Sequence, residues 1–224
     1  MHMPQDALSL AAADRLQPKS PKRAAARARV DAILDAADVL AASRPTESLS
    51  LPLLAQAAGV PASSLYHFFP SIEAVLVALV RRYNAELDRD IEQLLETLEA
   101  GSWQATTRAL SACARQFHDR NPVYARLVLR TAAFTSLRRA DDEHIRQLAE
   151  RFLELMNARF HMPNAPDLVT PLGVAMAISD RIWALLSDEN GNISDKAFEE
   201  SQIAMISYLS NYLPPQMALR EGAA

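Results

Sequence analysis

One short stretch of the sequence, beginning at Ala62, collects several side chains that form hydrogen bonds. Ser63 and Ser64 supply hydroxyls, Tyr66 supplies a phenol and His67 supplies an imidazole. Hydroxyls bond to the base edges or phosphates of a nucleic acid, and phenol and imidazole groups donate to phosphate oxygens. A small residue such as Ala62 lets the backbone come close to its partner. The pattern therefore favours recognition of a nucleic acid.

The residues before this stretch predict a helix and a tight turn that would position it. Ser50 is placed as the N-cap of a helix, and Pro52 falls in its first turn, where a missing N–H costs little. Gly59 stands where a left-handed residue ends that helix, and Pro61 then opens a second helix that runs to about Phe68. Two helices joined in this way suit the DNA major groove, which is ~12 Å wide. Spacing alone leaves open a generic helical hairpin whose serines face only water.

Residues 27–80 resemble the DNA-binding domain of the TetR/AcrR family of repressors. The resemblance rests on three blocks of sequence, namely ILDAA at 33–37, LAQAAGV at 54–60 and LYHFFP at 65–70. Ser71, Glu73 and Ala74 match the start of the family's fourth helix. The remaining two thirds of the chain match the family only in the number and length of predicted helices.

The resemblance implies a repressor that binds a palindrome-like operator in double-stranded DNA and leaves it when a small organic inducer swings the long fourth helix. Ile72 departs from the family, which usually has a phosphate-binding lysine there, and Pro61 stands where a capping serine or threonine is common. We therefore expect modest base readout, with the basic arm and DNA shape contributing more. The residues that the resemblance places at the DNA are Lys22, Arg23, Ser50, Ala62, Ser63, Ser64, Tyr66 and His67.

Composition favours an all-α fold. Only 5 of the 224 residues are glycine, which disfavours nucleotide-binding loops and hairpin turns, and strong helix formers dominate. The single cysteine, Cys113, excludes an intramolecular disulfide and a thiolate metal cluster. The net charge is −4, yet residues 1–30 carry six basic residues against two acidic ones. A basic front end on an acidic body suits a local contact with a polyanion.

The apolar periodicity predicts about nine helices in three parts. Residues 1–21 are expected to be a flexible basic tail, and residues 22–70 an N-terminal three-helix helix-turn-helix DNA-binding domain, with the motif at about 49–69. Residues 71–224 are expected to be a larger helical domain that binds an effector and dimerises. Outside the motif, the predicted helices are 22–43, 71–98, 102–120, 122–137, 141–161, 166–188 and 195–213.

The last two predicted helices carry apolar stripes that we expect to join two copies as a four-helix bundle. The alternative is that both stripes face the core of their own subunit. One stripe is Leu168, Leu172, Ala175, Met176, Ser179, Ile182, Trp183 and Leu186, and the other is Phe198, Met205, Ile206, Leu209, Tyr212 and Leu213.

The middle helices supply candidate ligand-binding residues. Apolar walls with a few polar groups suit a medium-sized organic ligand, although core packing explains most of these aromatic side chains equally well. The polar members, His118 and Arg130, stand among apolar neighbours in their predicted helices. The candidates are Trp103, Phe117, His118, Arg130, Phe134, Phe152, Met156 and Trp183.

A helical enzyme or metal protein is the alternative from another class. The histidines lack metal-ligand spacing, and nucleophile elbows, phosphate loops and zinc motifs are missing from the sequence. We therefore predict no catalytic residue, metal or cofactor. An activator, or a regulator without a ligand, would need the same DNA-binding part and stays open.

Apolar segments in the sequence are short. Asp6 and Asp14 flank the stretch 7–13, so a secretion signal is not predicted. The longest apolar run, residues 74–80, falls far short of the ~20 residues of a membrane span. We expect a cytoplasmic protein that does not contact a membrane.

Overall fold

The chain folds into helices, as the sequence predicts. The computed structural model describes residues 21–99, 101–130, 135–163, 167–188 and 191–220, with side chains from residue 24 onward. Over these ranges there are nine α-helices, one short 3-10 helix at Thr46–Ser48 and one isolated β-bridge. The α-helices are α1 (Pro21–Ser43), α2 (Leu51–Ala58), α3 (Ala62–Phe68), α4 (Ile72–Thr97), α5 (Trp103–Arg120), α6 (Pro122–Leu129), α7 (Thr135–Arg159), α8 (Val169–Leu186) and α9 (Asp195–Leu209).

Two predicted helix boundaries, on either side of one break, are wrong. The helix expected at 122–137 ends at Leu129, and the next helix begins at Thr135 instead of at residue 141. The residues between 135 and 141 include no proline or glycine that would stop a helix. Leu137, Ala140 and His144 are buried at helical spacing, so the buried face of α7 extends toward its N-terminus.

The chain divides into two compact units, residues 1–72 and 73–224. In the first unit, α1 contacts α2 and α2 contacts α3. On α1 the buried residues Ile33, Leu34, Ala37 and Ala41 recur at spacings of three and four, which places them on one face. Leu65 is the fully buried residue of α3.

The second unit is built around a core that α5, α7, α8 and α9 supply. Its central members include Trp103, Phe152, Met156, Leu172 and Leu209, each at most 6% exposed. The segment after α9 also belongs to this unit, because Trp103 donates its indole N–H to the Pro214 carbonyl at 2.9 Å. Polar bonds at the rim of an apolar core fix the orientation of such large side chains.

One of the described helices, α8, is long and apolar enough to cross a membrane if only length and composition are considered. The core helix of a soluble protein passes the same test. In α8 the charged residues Asp180 and Arg181 lie inside the apolar sequence, and Leu172 and Trp183 are buried within the unit.

Candidate functional site

The turn between α2 and α3 has the predicted local structure. The Ser50 hydroxyl caps α2 by accepting a hydrogen bond from the Leu53 backbone N–H at 3.4 Å. Gly59 ends α2 with φ 63° and ψ 27°, the left-handed conformation that glycine adopts without steric cost. The Val60 N–H then donates to the Ala55 carbonyl at 3.1 Å, which completes a Schellman-type helix end. The predicted N-cap and the predicted left-handed glycine are therefore confirmed.

Helix α3 begins one residue later than the sequence suggests. Pro61 is its N-cap, with φ −58° and ψ 136°, and provides no capping side chain. The Pro61 carbonyl accepts from Ser64 N–H at 2.9 Å and from Leu65 N–H at 3.2 Å, so the first turn closes on the proline itself. Leu65 and then Phe69 are buried and anchor this short helix.

The opposite face of α3 is open to solvent. Ala62, Ser63, Tyr66 and His67 are exposed, Ser64 is half-buried, and the exposed fraction of Tyr66 is 53%. Residues three and four apart are neighbours on a helix surface, so the open positions form one continuous patch. Within the described part of the chain, no polar side chain or backbone group bonds to the hydroxyls or rings of this patch. The patch has the size and chemistry to place hydroxyl, phenol and imidazole groups against an edge of DNA.

The basic residues of the first unit fall into two groups. Arg27, Arg29 and Arg44 are exposed on the described surface. Residues 1–20 of the predicted tail (1–21) and the side chains of Lys22 and Arg23 lie outside the described residues, and Pro21 is the first residue of α1. Ile72 is half-buried, and its aliphatic side chain cannot replace the phosphate-binding lysine that the resemblance leads one to expect.

The second unit encloses a cavity of about 120 Å³. Helices α4 to α9 all contribute to its wall, which is predominantly apolar. Of the eight predicted ligand-binding residues, His118, Phe152 and Trp183 line it. Phe134 lies outside the described residues.

The other four predicted ligand-binding residues lie away from this cavity, which revises the predicted set. Trp103 and Met156 are fully packed in the core of the second unit. Phe117 is buried against the rings of Tyr83 and Tyr124. Arg130 follows the end of α6, where it is exposed and donates to the Ala184 carbonyl at 3.3 Å. Because α6 ends at Leu129, Arg130 does not continue the buried face of that helix.

The cavity has polar residues that the sequence reasoning missed, among them Asp141, Asp180, Ser179, Tyr124 and His144. A signal for Asp180 was present, since a carboxylate in the otherwise apolar sequence of α8 is unusual and needs a partner or a function. Two adjacent acidic residues such as Asp141 and Asp142 are typical of a solvent-exposed helix face, so no comparable signal in the sequence marks Asp141.

Burial shifts the pKa of three ionisable side chains on the cavity wall, Asp180, Asp141 and His118. It raises the pKa of Asp180 to about 8, and the nearby charge of Asp141 acts in the same direction. Burial and the charge of Asp142 raise the pKa of Asp141 to about 7. Burial lowers the pKa of His118 to about 4, so its imidazole is neutral near pH 7. The cavity therefore holds two carboxyls that ionise with difficulty and a neutral imidazole.

Hydrogen-bond donors on the cavity wall are largely engaged within the protein. The Tyr124 hydroxyl donates to the Asn84 side-chain oxygen, and the Trp183 indole N–H donates to the Ser201 hydroxyl, both at 2.9 Å. His144 and Arg151 share another partner, Asp88, at 3.1 and 3.2 Å.

Within the described ranges, no three histidine, cysteine, aspartate or glutamate side chains are grouped so that they could hold a metal ion.

The apolar stripes predicted for the dimer are mostly buried in their own subunit. Leu172, Ala175 and Trp183 of α8, and Met205 and Leu209 of α9, are at most 6% exposed. These five residues belong to the core of their own subunit, which was the alternative to a dimer interface.

A different apolar face of α8 and α9 is exposed. Val174 and Leu185 of α8 and Ile203 of α9 are 37%, 68% and 62% exposed. Since α8 and α9 pack against each other, these side chains belong to neighbouring helices on the surface of the second unit.

Comparison with known proteins places these features in a family. Residues 33–79 match the model of the family described as "Bacterial regulatory proteins, tetR family". A comparison with curated proteins gave no significant match. Solved structures of similar fold include a TetR-family transcriptional regulator from Streptomyces coelicolor, which is 24% identical with a TM-score of 0.60 over 83% of this chain and 99% of that one. A TetR-family regulator from Pectobacterium atrosepticum is 21% identical, with a TM-score of 0.62 over 87% of this chain and 98% of that one.

A third similar structure is SmeT, the repressor of the Stenotrophomonas maltophilia multidrug efflux pump SmeDEF. It is 17% identical, with a TM-score of 0.57 over 87% of this chain and 92% of that one. These likenesses establish the fold, and the family model adds the identity of the helix-turn-helix. Residues 33–79 therefore match the tetR family of bacterial regulatory proteins, and the chain as a whole shares the fold of solved TetR-family transcriptional regulators.

Proposed function

We propose that this regulator is a cytoplasmic repressor that binds a palindrome-like operator as a homodimer and leaves it when a small organic effector enters the cavity of the second unit. The observation that carries the proposal is the exposed polar face of α3, anchored by buried Leu65. SmeT, which shares the fold, is by its name a repressor, and this supports the sign of regulation.

At the DNA, we assign base contacts to the N-terminal part of α3 and phosphate contacts to its flanks. Ala62, Ser63 and Ser64 stand in the first turn, where a recognition helix meets base edges. Tyr66 and His67 lie one turn later on the exposed face and donate to phosphates or bases.

The same proposal gives phosphate contacts to residues outside α3. The Ser50 hydroxyl already accepts the Leu53 N–H, and its own proton is still available to donate to a phosphate. Lys22 and Arg23 add electrostatic contacts from the start of α1. Few of these side chains can make a bidentate base contact, so we expect shape and charge to carry much of the affinity.

The homodimer follows from the exposed face of α8 and α9. Burying an aliphatic side chain such as Leu185 or Ile203 contributes about 1.5–3 kcal/mol relative to leaving it in water. Two-fold symmetry uses each of these residues twice in one interface. A four-helix bundle of α8 and α9 from two copies would cover both residues and would fix the spacing between the two recognition helices.

Release from DNA requires that the effector bind the non-operator conformation more tightly. An effector with equal affinity for both conformations shifts nothing, whatever its affinity. The cavity walls come from six helices, α4 to α9, so a bound molecule can bias how these helices pack. The same helices include the proposed dimer interface.

The test begins with selection of bound DNA from a random pool, followed by fluorescence anisotropy on the selected site. Combining Ser63→Ala with Tyr66→Phe is expected to weaken operator binding about 10- to 100-fold, since each lost hydrogen bond is worth about 0.5–1.5 kcal/mol. Thr97→Ala, an exposed hydroxyl in the second unit, is the matched control and should bind like the wild type.

Two results would contradict the proposal. One is a double variant that binds the selected site as tightly as the control variant does. The other is equal affinity for every sequence in the pool, which would indicate purely non-specific binding. A reporter fused to the selected site should gain expression when the regulator is deleted; loss of expression would identify an activator.

A further inference from the structure

We propose that the effector is a small organic cation, a protonated amine carrying one aromatic ring, held in the cavity with Asp141 and Asp180 as its counter-ions. This inference rests on the proposed function and names the chemical class of its effector. It stands on the composition and the geometry of the cavity wall.

The wall offers mainly acceptors to a ligand, since most of its own donors are engaged. Tyr124 and Trp183 donate to Asn84 and Ser201. Among the described residues, neither Asp141 nor Asp180 has an ion pair. Carboxyl oxygens that border an enclosed space without a cationic partner favour a ligand that brings the donors and the positive charge.

Two further polar groups lack partners at the same wall. His118 is 6% exposed, and its Nδ1 has no hydrogen-bond partner among the described residues. Ser179 is 3% exposed, and its hydroxyl is equally without a partner there. An unsatisfied buried polar atom destabilises the folded protein, so a ligand that bonds to it gains the free energy that the missing hydrogen bond costs. Both residues border the cavity that Asp180 borders. They therefore point to a ligand independently of the two carboxyls.

The other charged and titratable groups of the wall leave it acidic. Arg151 is paired with Asp88 at 3.2 Å and lies 3.8 Å from Glu92, so its charge is balanced within the protein. His144 bonds to the same Asp88, and burial lowers its pKa. His118 is neutral near pH 7, and the pKa of Tyr124 is raised well above its ordinary value. The cavity residue of α9, Met205, is apolar.

The size and the walls of the cavity define the rest of the ligand. An apolar cavity of about 150 Å³ in another protein holds a benzene molecule. A volume of about 120 Å³ thus suits a single ring with a short chain, allowing for small side-chain adjustments. Phe152, Trp183 and Tyr124 line the space. Aromatic faces attract cations, which adds to the carboxylate contacts of an ammonium group.

Binding of an ammonium group must release a proton. Near neutral pH, burial keeps Asp180 largely protonated and Asp141 partly protonated, and a cation is paired only when one of the two carboxyls ionises. The balance is a carboxylic acid plus R–NH3⁺ going to an ion pair plus one H⁺ released to solvent. Affinity for the amine therefore rises with pH until the carboxyl is ionised without the ligand. The slope is at most about tenfold per pH unit, the limit for one proton.

The test is calorimetric titration of the full chain, without DNA, with three probes of similar shape. These are 2-phenylethylamine, 2-phenylethanol and 3-phenylpropionate, which are cationic, neutral and anionic. The amine is expected to bind more tightly than the other two at pH 8 and to gain about 10- to 50-fold in affinity between pH 6 and pH 8. Titrations in buffers of different ionisation enthalpy should show one proton released. An alcohol or acid that binds as tightly as the amine, undetectable binding of the amine, or an amine affinity that is the same at both pH values would overturn the proposal.

Variants assign the effect to the carboxyls. Asp180→Asn should lose at least tenfold in amine affinity at pH 8 and most of the pH dependence, while its affinity for 2-phenylethanol stays the same or improves. The retained alcohol binding shows that the cavity is intact. Glu154→Gln changes an exposed carboxylate of the same helix as Asp141, α7, that does not line the cavity, and should stay within about twofold of the wild type. Operator binding is measured in a separate assay, so failure of the amine proposal is distinguishable from failure of the repressor proposal.

Discussion

The buried carboxyls of the cavity should make the stability of the ligand-free protein depend on pH, and Asp180→Asn should reduce this dependence. In the folded chain, burial raises the pKa of Asp180 to about 8, whereas an unfolded aspartate titrates near ~3.9. Between these values the folded state keeps the proton and the unfolded state has lost it. The free energy of unfolding therefore falls as pH rises, until the pH passes the folded pKa. Asp141 contributes the same sign up to its own folded pKa of about 7.

His118 works against the carboxyls at lower pH. Its pKa is about 4 in the folded protein and ~6.5 in an unfolded chain, so the unfolded state binds the extra proton between these values. The contribution of His118 to the free energy of unfolding therefore rises with pH over that window, and it offsets the falling contribution of one of the two aspartates. The lowered pKa of His144 has the same sign as that of His118. We therefore expect a shallower loss of stability as pH rises toward about 6.5 and a steeper loss above it.

The size of the loss follows from the same pKa values. Between pH 6.5 and 8.5, a carboxyl with a folded pKa of about 8 reduces the free energy of unfolding by about 2 kcal/mol. A carboxyl with a folded pKa of about 7 reduces it by about 1 kcal/mol. Both residues are partly accessible from the cavity, and solvent there lowers the sum, so the expected total is about 1–3 kcal/mol. Asp180→Asn should remove about two thirds of it.

The assay is urea unfolding followed by circular dichroism at pH 6.5, 7.5 and 8.5. Protein concentration and ionic strength must be held constant, because the stability of a dimer depends on its concentration. Glu154→Gln, which changes an exposed carboxylate of α7, should keep the wild-type slope. The reasoning is refuted if wild type and Asp180→Asn lose the same free energy between pH 6.5 and 8.5. A wild type that gains stability over this range would refute it as well.

Two further predictions concern the turn and the dimer. Gly59→Ala should cost about 1–2 kcal/mol of stability in urea unfolding, because an L-residue is strained at the φ of 63° that Gly59 adopts. The strain is in the backbone, since a Cβ at this position would contact nothing within 4 Å. An unchanged unfolding midpoint would show that the turn relaxes. Ile203→Lys should convert the dimer to a monomer in light scattering, while Val39→Lys, at an equally exposed apolar residue of α1, should leave a dimer; a dimeric Ile203→Lys protein would place the interface elsewhere.

The helix-turn-helix was predictable because its determinants are local. The Ser50 hydroxyl caps α2 by accepting a hydrogen bond from the backbone N–H three residues later. Gly59 adopts a left-handed conformation that other residues avoid for steric reasons. Leu65 is buried because it stands on the opposite side of α3 from Ser63 and Tyr66. Each of these features depends on residues fewer than ten positions apart, so the sequence alone is sufficient.

The cavity was less predictable because it depends on how six helices are rotated. Phe117 and His118 are adjacent and both buried, yet only His118 borders the cavity. A periodic pattern cannot tell a ring packed in the core from a ring on a cavity wall. The early end of α6 likewise moved Arg130 to the surface. Asp141 and Asp180 are 39 positions apart, and only the folded structure brings their charges close enough to affect each other.

Helix α8 connects the two proposals. Ser179, Asp180 and Trp183 border the cavity, and Val174 and Leu185 are exposed. At 100° per residue these two sets lie on opposite sides of one helix, about 10 Å across. A helix moves largely as a unit, so a cation that pulls Asp180 would also displace the side chains proposed to join the two subunits. In the proposed dimer, that interface would set the separation of the two recognition helices, and half-sites are spaced by whole turns of DNA. A small displacement of α8 is therefore expected to disfavour the operator-bound state.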